Sequence, residues 1–487
     1  MTKEGVMKKL AYCSIITVLV LMVIGLGLVS TPANATGHKH LANMRPMVFV
    51  HGYTGSAQQF EWQAMRFAGN GYPQEYLNAF EYDSPSWGGL GTPPNIPFQI
   101  ATLAALDERI DAILLETGAD QVELMGQSLG TVVSQMYLSN PTRAAKVAHY
   151  VNLDGFPAAA LPGGVPTLAL WSEFGMFPTG TIVGAENYIL PKQSHNEAAT
   201  SPESFALMYK FFTGKDPKST AVLPDRDGRI NLAGRAVLFP QNTGVAGATV
   251  EIYELNGETG ARKHRRPAAS YPIDESGNFG PFRARAEASY EFNIAREGGN
   301  HHFYIEPRIR SDYFLRLNTS PVGGGLGAFM TRNPDQTNLI ITRNREWFGD
   351  QSDGYDDILA INGINIVNAT NAPLNHYTVA YFVYDLASDH ITNLARPITD
   401  FPALLNTTFL SAVDLYLFGA TPPDATISIV SIPRGNCGAM HMINVPNWAI
   451  INEEATFSES VSVQLNDYIE GRCDETWDDH GWHGHGW

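Results

Sequence analysis

Basic residues are scarce in this sequence. Of its 487 residues, 32 are Lys or Arg and 49 are Asp or Glu, which gives a net charge of −17 at pH 7. Nucleic acids and anionic lipid surfaces carry phosphates that attract cations, so a chain this acidic is poorly suited to either partner. A neutral partner or substrate fits the composition better.

Long apolar runs are also rare, and the longest one stands at the N-terminus. Three lysines among the first nine residues precede the almost wholly apolar stretch 10–29, and Ala33-Asn34-Ala35 follows it. This order predicts a signal peptide over residues 1–35 and a secreted mature chain. The alternative is an uncleaved membrane anchor, since about 20 apolar residues can span a bilayer.

Cysteine is nearly absent, with three residues in the whole chain. Cys13 lies within the predicted signal peptide, so the mature chain keeps Cys437 and Cys473. In an oxidising compartment these two could form one disulfide that closes the C-terminal region. Sequence alone does not establish the geometry, and the Cys437–Cys473 disulfide is a hypothesis at this point.

Long helical periods are missing after residue 231, but before it short apolar strands alternate with helices. This alternation predicts a catalytic domain over residues 45–220, built on a mostly parallel sheet that helices cover on both faces. The pattern indicates strands at 47–50, 122–125, 147–153 and 166–171, and helices at 101–117, 128–138 and 202–212.

The rest of the chain reads as β-structure. Strand-like runs are separated by turn signals such as Asn256-Gly257, and they predict a β-sandwich domain over residues 221–344. Residues 345–477 are predicted to form a second β-rich domain, with the boundary near residue 344. The last ten residues, 478–487, form a His-rich tail.

One pentapeptide, Gly126-Gln127-Ser128-Leu129-Gly130, lies between a predicted strand and a predicted helix. Its two glycines allow a sharp turn that lifts the serine hydroxyl above the sheet, as a nucleophile requires. The motif also occurs by chance, so its position between strand and helix carries the prediction. The alternative is an ordinary strand–helix turn that contains a serine.

A serine hydroxyl needs a base to take its proton, and the base is typically a histidine oriented by a carboxylate. In a sheet of this type the partners follow in the order serine, acid, histidine. Asp154, directly after a predicted strand, is the predicted acid, and Glu173 is the main alternative. Since His149 precedes Asp154, His195 is the predicted base.

The negative oxygen that forms during such an attack needs backbone N–H donors. The residue after the nucleophile, Leu129, supplies one donor. The second is expected from the loop after the first strand, and we assign it to Tyr53 within His51-Gly52-Tyr53. His51 is expected to shape this loop rather than to act as a base.

These residues and their neighbours resemble a known family, the secreted archaeal and bacterial α/β-hydrolase lipases with a β-rich, lipid-binding C-terminal region. The resemblance is dense over residues 45–217 and thins to fragments further on. It implies an α/β-hydrolase fold, with Ser128, Asp154 and His195 at the positions of the family's catalytic residues. The segments that carry it are 50–56, 65–68, 70–73, 80–83, 143–149, 153–155 and 200–203.

Two features depart from the family. Gln127 stands where the family often has a histidine before the nucleophile. The segment 84–97, rich in Gly and Pro, stands where a family member carries a long helical lid, and it is too short to form a large helical cap. We therefore expect a more open site.

Together these observations predict a secreted serine ester hydrolase, a lipase or carboxylesterase acting on acylglycerols or other carboxylic esters. The β-rich region is expected to bind lipid or polymer surfaces. One alternative is an extracellular polyester depolymerase, and another is a secreted surface-binding protein without catalysis.

No cofactor is required. The acidic segment 350–357 could bind Ca²⁺, but it lacks EF-hand spacing and is more typical of a solvated turn.

Overall fold

The structure, a computed structural model, describes residues 44–89, 92–351, 355–404, 407–434 and 439–466. From Arg45 onward these residues belong to one compact unit. The predicted signal peptide, all three cysteines with their proposed disulfide, and the His-rich tail lie outside the described residues. In the described part of the chain, no helix is both long enough and apolar enough to cross a bilayer.

Six parallel strands form the first sheet, in the order β2-β1-β3-β4-β5-β6. The central strands are buried along their whole length, as expected when helices cover both faces. This sheet confirms the α/β-hydrolase fold expected for this region. The strands are β1 (Met47–Val50), β2 (Leu77–Phe80), β3 (Val122–Gln127), β4 (Val147–Leu153), β5 (Thr167–Phe174) and β6 (Glu186–Ser194).

The helices of this region bury the apolar faces that their sequences predict. Leu106, Ile110 and Ile113 are fully buried in the core on one side of the sheet. The helix that carries them starts earlier than predicted, because the Asn95 side chain caps it at Phe98 N. The helices are α1 (Glu61–Gly69), α2 (Ile96–Thr117), α3 (Leu129–Leu138), α4 (Pro141–Ala144) and α5 (Pro202–Thr213).

After α5 the described chain contains strands and short 3₁₀ turns but no α-helix, in agreement with the missing helical period. The strands are β7 (Arg229–Leu238), β8 (Thr243–Gly244), β9 (Thr249–Glu254), β10 (Ala269–Pro272), β11 (Asn278–Arg285), β12 (Tyr290–Arg296), β13 (Gly299–Ile305), β14 (Asp312–Thr319), β15 (Leu339–Thr342), β16 (Ile358–Ile361), β17 (Ile364–Asn365), β18 (Ala380–Tyr384), β19 (Leu410–Asp414), β20 (Thr426–Ile432), β21 (His441–Pro446) and β22 (Ser458–Gln464).

One large sheet organises this β-rich region, with the order β10-β9-β12-β13-β22-β15-β18-β19. One half of it shares a core with the sheet β11-β7-β14, and the other half shares a core with the sheet β17-β16-β20-β21. The last strand, β22, lies between β13 and β15 and is parallel to both. The large sheet therefore runs continuously across the predicted boundary near residue 344.

Candidate active site

Ser128 lies at the turn between β3 and α3, in a backbone conformation that most residues avoid (φ 53°, ψ −122°). The turn brings the start of α3 against β1. A Cβ atom on Gly130 would lie 2.1 Å from Val50 O, so only glycine fits there. The side chain of Ser128 is partly accessible and lines a cavity. This strained strand–turn–helix geometry is the one that the sequence motif predicts.

Asp154 and His195 form a direct pair beside this turn. The distance from His195 Nδ1 to Asp154 Oδ2 is 2.5 Å, and both side chains are buried. The carboxylate also accepts hydrogen bonds from Ser172 N and Met176 N, both at 3.0 Å. Because a carboxylate only accepts, Nδ1 is the donor in this contact, and Nε2 is the ring nitrogen left for a second partner.

The alternative acid and the other histidine lie elsewhere. Glu173 is exposed, and its Oε2 accepts a hydrogen bond from Lys192 N at 2.7 Å. His149 pairs with Glu123 through Nδ1 at 2.9 Å, near the start of β4. The structure thus brings Asp154, and not Glu173, to His195.

The loop after β1 approaches the serine closely. A Cβ atom on Gly52 would lie 2.9 Å from Ser128 Cβ and 2.5 Å from Gln127 Oε1, so this position requires glycine. Tyr53 lines the same cavity as Ser128 and His195. Among the described residues, neither Tyr53 N nor Leu129 N has a hydrogen-bond partner. Both predicted N–H donors are therefore free to bind a ligand oxygen.

His51 stabilises this loop through its two ring nitrogens. Its Nδ1 lies 2.8 Å from Gly52 O, and its Nε2 accepts a hydrogen bond from Tyr82 N at 3.2 Å. Its ring stacks on that of Tyr82 with centroids 4.5 Å apart. Burial lowers the pKa of His51 and keeps the ring neutral, which suits this bonding pattern. Asn242, from the β-rich region, donates to Gly55 O at 2.9 Å and ties the loop to that region.

A cavity of about 260 Å³ contains Ser128 and His195, and much of its wall comes from the β-rich region. Phe303, Ile340 and Phe382 lie close together on the large sheet. Ile340 is paired with Phe382, and Ile340 and Phe303 are in register with the same residue of β22, on either side of that strand. Further apolar residues of the wall are Phe239, Leu326, Val379, Phe409 and Leu410.

The expectation of a more open site considered only the missing helical lid, whereas the β-rich region supplies much of the cavity wall. The segment 84–97 indeed forms no helical cap: its described residues before α2 contain only a 3₁₀ turn, Ser84–Trp87. Residues of the β-rich region lie against the site instead. The ring of Phe409 stacks on that of His195, with centroids 6.0 Å apart and an angle of 17° between the planes. Phe409 adopts φ 82°, a strained conformation for a bulky residue that backbone hydrogen bonds to and from its peptide group maintain.

Sequence reasoning missed a buried set of charged residues behind His195. Glu346 Oε1 accepts a hydrogen bond from Asn196 N at 2.6 Å, and its other oxygen accepts one from Ser194 Oγ. Arg434 Nη2 donates to Glu197 Oε2 at 2.8 Å. Glu346 and Arg434 follow the loop by some 150 and 240 residues, so no local sequence pattern indicates that they contact it.

Burial and the neighbouring partners act in opposite directions on the two glutamates of this set. Burial raises the pKa of Glu346, against the hydrogen bonds from Ser194 and Asn196. Burial also opposes the charge of Glu197, but the guanidinium groups of Arg345 and Arg434 outweigh it and lower the pKa of this carboxyl.

The acidic segment 350–357 is not simply a solvated turn. Asp357 is buried, and it accepts hydrogen bonds from Arg343 at 2.7 Å and from Arg434 at 2.9 Å. Burial raises the pKa of Asp357, but these cations outweigh burial and lower it to about 2. In the described residues, which omit 352–354, no group of three or more His, Cys, Asp or Glu side chains is arranged to hold a metal ion.

Three family models match parts of the chain. Residues 44–141 match the model described as Lipase (class 2), and residues 228–322 match the model described as Lipase C-terminal domain. Residues 325–469 match a third model, which describes a C-terminal domain. The two lipase matches support an ester hydrolase of the lipase type.

Similar solved structures cover about a third of the chain. A predicted hydrolase from Thermoplasma acidophilum is 17% identical over 36% of this chain and 88% of its own, with a TM-score of 0.26. Lipase B from Aspergillus fumigatus is 14% identical over 36% of this chain and 54% of its own, with a TM-score of 0.28. An α/β-hydrolase from a sediment metagenome of the Mar Chica lagoon, Morocco, is 17% identical over 35% and 91%, with a TM-score of 0.26.

Proposed function

We propose that the protein hydrolyses carboxylic esters through an acyl-enzyme, with Ser128 as nucleophile, His195 as base and Asp154 as the acid that orients it. The observation that carries the proposal is the 2.5 Å contact between His195 Nδ1 and Asp154 Oδ2, beside a cavity that Ser128 also lines. This is the pairing that a serine nucleophile needs from its base.

The reaction has two halves. Ser128 Oγ attacks the ester carbonyl while His195 Nε2 takes the hydroxyl proton, and the resulting oxyanion is bound by Tyr53 N–H and Leu129 N–H. The C–O bond to the alcohol then breaks, and His195 returns the proton to the leaving oxygen. Water attacks the acyl-enzyme by the same route in the second half and releases the acid. Asp154 stabilises the imidazolium in both halves.

The cavity wall supports a substrate with a water-poor acyl chain, acylglycerols first. Apolar residues of the large sheet line the same cavity as the serine, and each buried methylene contributes about 0.8 kcal/mol to binding. A solid polyester is a weaker candidate. Because the β-rich region supplies much of the cavity wall, a polymer chain would have to enter the cavity rather than lie across an open groove.

The β-rich region also offers an apolar surface for binding to lipid. On the outer face of the sheet β17-β16-β20-β21, Ile358 is opposite Ile432, and Val430 is opposite Met442. Met442 is 50% exposed and Ile358 is 38% exposed. Exposed apolar patches on soluble proteins commonly mark interaction surfaces. We propose that this face binds substrate surfaces and that the chain is secreted after removal of residues 1–35.

Replacement of the nucleophile tests the catalytic proposal. Ser128→Ala should abolish turnover of p-nitrophenyl butyrate and labelling by a fluorophosphonate probe, and Ser134→Ala is the control because Ser134 is buried in α3, bonded to Gly130 O. Full esterase activity in Ser128→Ala would refute the proposal. Absence of probe labelling in the wild type would favour the non-catalytic alternative. Comparison of tributyrin with a polyester film separates the two enzyme classes.

A further inference from the structure

The loop 194–197, which carries His195, has contacts within its own part of the chain. Gln127 Nε2 donates to His195 O at 3.2 Å. The carboxylate of Glu197 accepts a hydrogen bond from Ser194 N at 3.1 Å, and its Oε2 lies 3.1 Å from Ser194 Oγ, whose single proton is donated in the shorter contact with Glu346. These bonds connect residues of the loop to each other and to Gln127, but none of them involves Asn196 N.

The β-rich region supplies the missing contacts on both sides of His195. Glu346 Oε1 binds Asn196 N at 2.6 Å, and Glu346 Oε2 binds Ser194 Oγ. One side chain therefore binds the residue before His195 and the residue after it. A rotation of this peptide segment that would turn the imidazole away from Asp154 would have to break both bonds.

Arg434 connects the same loop to the core of the β-rich region. Its Nη2 donates to Ser194 Oγ at 3.0 Å and to Glu197 Oε2 at 2.8 Å, while its Nη1 donates to Asp357 Oδ2 at 2.9 Å. Asp357 is in turn held by Phe348 N at 2.7 Å. Glu346, Asp357 and Arg434 are all at most 6% exposed, so little water competes for these bonds.

We propose that Glu346 and Arg434 are positioning residues, which hold the loop of His195 so that its imidazole stays aligned between Asp154 and Ser128. The inference rests on the proposed role of His195 as the base. Catalysis depends steeply on such alignment, since a displacement of about 1 Å can cost on the order of a hundredfold in rate. The β-rich region would then be part of the catalytic machinery, in addition to any role at surfaces.

A residue that only stabilises the fold would lower the fraction of active molecules, whereas a positioning residue lowers the rate of each active molecule. The experiment therefore compares kcat per active site, counted by fluorophosphonate titration of the full-length enzyme, with KM for p-nitrophenyl butyrate and with Tm. The variants are Glu346→Leu and Arg434→Met, together with the milder Glu346→Gln and Arg434→Lys.

The matched control is Arg308→Met. Arg308 also forms a buried ion pair between the β-rich region and the hydrolase region, with Glu61, and it pairs with Asp312 as well. We expect it to lower Tm with kcat per active site unchanged within about twofold. For Glu346→Leu and Arg434→Met we expect kcat to fall ten- to hundredfold with KM within about twofold, and for the milder variants a loss of several-fold.

The inference is overturned if the two severe variants keep wild-type kcat per active site, or if Arg308→Met loses as much as they do. If the severe variants do not fold, the milder pair decides: unchanged kcat at unchanged Tm overturns the inference. His195→Ala separates the two proposals. If it is inactive while the network variants are fully active, only the positioning role fails; if it keeps full activity, the proposed function fails and the positioning role falls with it.

Discussion

Arg434 Nη2 lies 2.8 Å from Glu197 Oε2, which joins the β-rich region to the loop of His195 across 237 positions of sequence. A similar connection exists beside the loop after β1, where Glu81 accepts a hydrogen bond from Ala57 N and pairs with Arg235 and Arg316. Burial raises the pKa of Glu81, but Arg316 and Arg235 outweigh it and lower the pKa to about 2. Both loops of the site thus depend on the β-rich region.

The first prediction concerns the predicted catalytic domain alone. A fragment of residues 36–220 would lack Glu346, Arg434 and the apolar cavity wall, and it would expose the core ring of Phe49, which packs on Phe314 of β14 with centroids 5.9 Å apart. We expect the fragment to aggregate or to lose at least a hundredfold in kcat/KM for p-nitrophenyl butyrate. A soluble fragment with wild-type activity would contradict the dependence described above.

The second prediction concerns the choice of acid. Asp154→Asn should leave the fold intact but lower kcat by roughly 10⁴-fold, because an amide favours the wrong tautomer of the imidazole. Glu173→Gln is the control and should keep kcat within about twofold, since Glu173 is exposed and bonded only to Lys192 N among the described residues. Initial rates with p-nitrophenyl butyrate check both variants. Equal losses of kcat in the two variants would contradict the assignment of Asp154 as the acid.

The third prediction concerns the close approach of Gly52 to the serine. Gly52→Ala should push the oxyanion loop away from Ser128, because the new methyl group would lie 2.9 Å from Ser128 Cβ. Loss of one oxyanion donor typically costs about 10²–10³-fold in kcat, and we expect a loss of that order. Gly257→Ala is the control: its nearest neighbour would be Ser289 Oγ at 3.4 Å, an ordinary contact. Wild-type kcat in Gly52→Ala would exclude this role for the loop.

The fourth prediction concerns the pH dependence of the contribution that His302 makes to stability. His302 lies between Glu291 (Nδ1–Oε1 2.6 Å) and Glu459 (Nε2–Oε2 3.0 Å). Burial opposes the charge of the imidazolium, but its hydrogen bonds to both carboxylates outweigh burial and raise the pKa of His302. Its contribution to stability is therefore fully present below the unfolded-state pKa of about 6.5, and it is lost as the pH rises through the folded-state pKa.

Thermal unfolding between pH 5 and pH 9 checks this sign. His302→Gln should lower Tm most below about pH 6.5, and the difference from wild type should shrink as the pH rises. Breaking a buried pair of this kind costs about 3–5 kcal/mol, which is several degrees in Tm. A difference that grows with pH would contradict the assignment. Exposed His390 is paired with half-exposed Asp335 at 3.2 Å, and His390→Gln is the control with little expected effect.

The fifth prediction concerns the outer face of the sheet β17-β16-β20-β21. Met442→Asp should weaken adsorption to neutral phospholipid vesicles or tributyrin emulsion by about tenfold, since a buried Met side chain contributes about 1.5–3 kcal/mol. Hydrolysis of soluble p-nitrophenyl butyrate should stay unchanged. Leu115→Asp, at an exposed leucine of α2, is the control and should leave adsorption intact. Equal adsorption of wild type and Met442→Asp would exclude this face as the surface-binding site.

The sequence located the individual elements of the site because each has a local signal. Glycines on both sides of Ser128, a strand that ends at Asp154 and a loop at His195 follow from the geometry of short segments. The paired glutamate and arginines behind His195 have no such signal. Their partners lie far away in sequence, and an isolated Glu or Arg between strands reads as an exposed charge.

The contribution of the β-rich region to the cavity wall was not predicted, for the same reason. The segment 84–97 showed correctly that no helical lid forms there, but nothing in it indicates that Phe409, some 300 residues later, would stack on His195. The position of β22 between β13 and β15 could not be predicted from the sequence either, because an alternating strand pattern does not indicate which strands pair with it.

By itself, then, the sequence determined the α/β-hydrolase fold, the β-rich remainder and the local candidates at residues 128, 154 and 195, since turns, periodicity and strand ends are set by neighbouring residues. Only the tertiary structure decided that the β-rich region lines the cavity and binds the loop of His195. Those contacts depend on long-range sheet packing and on buried charges, which are compensated only when distant segments bring their partners together.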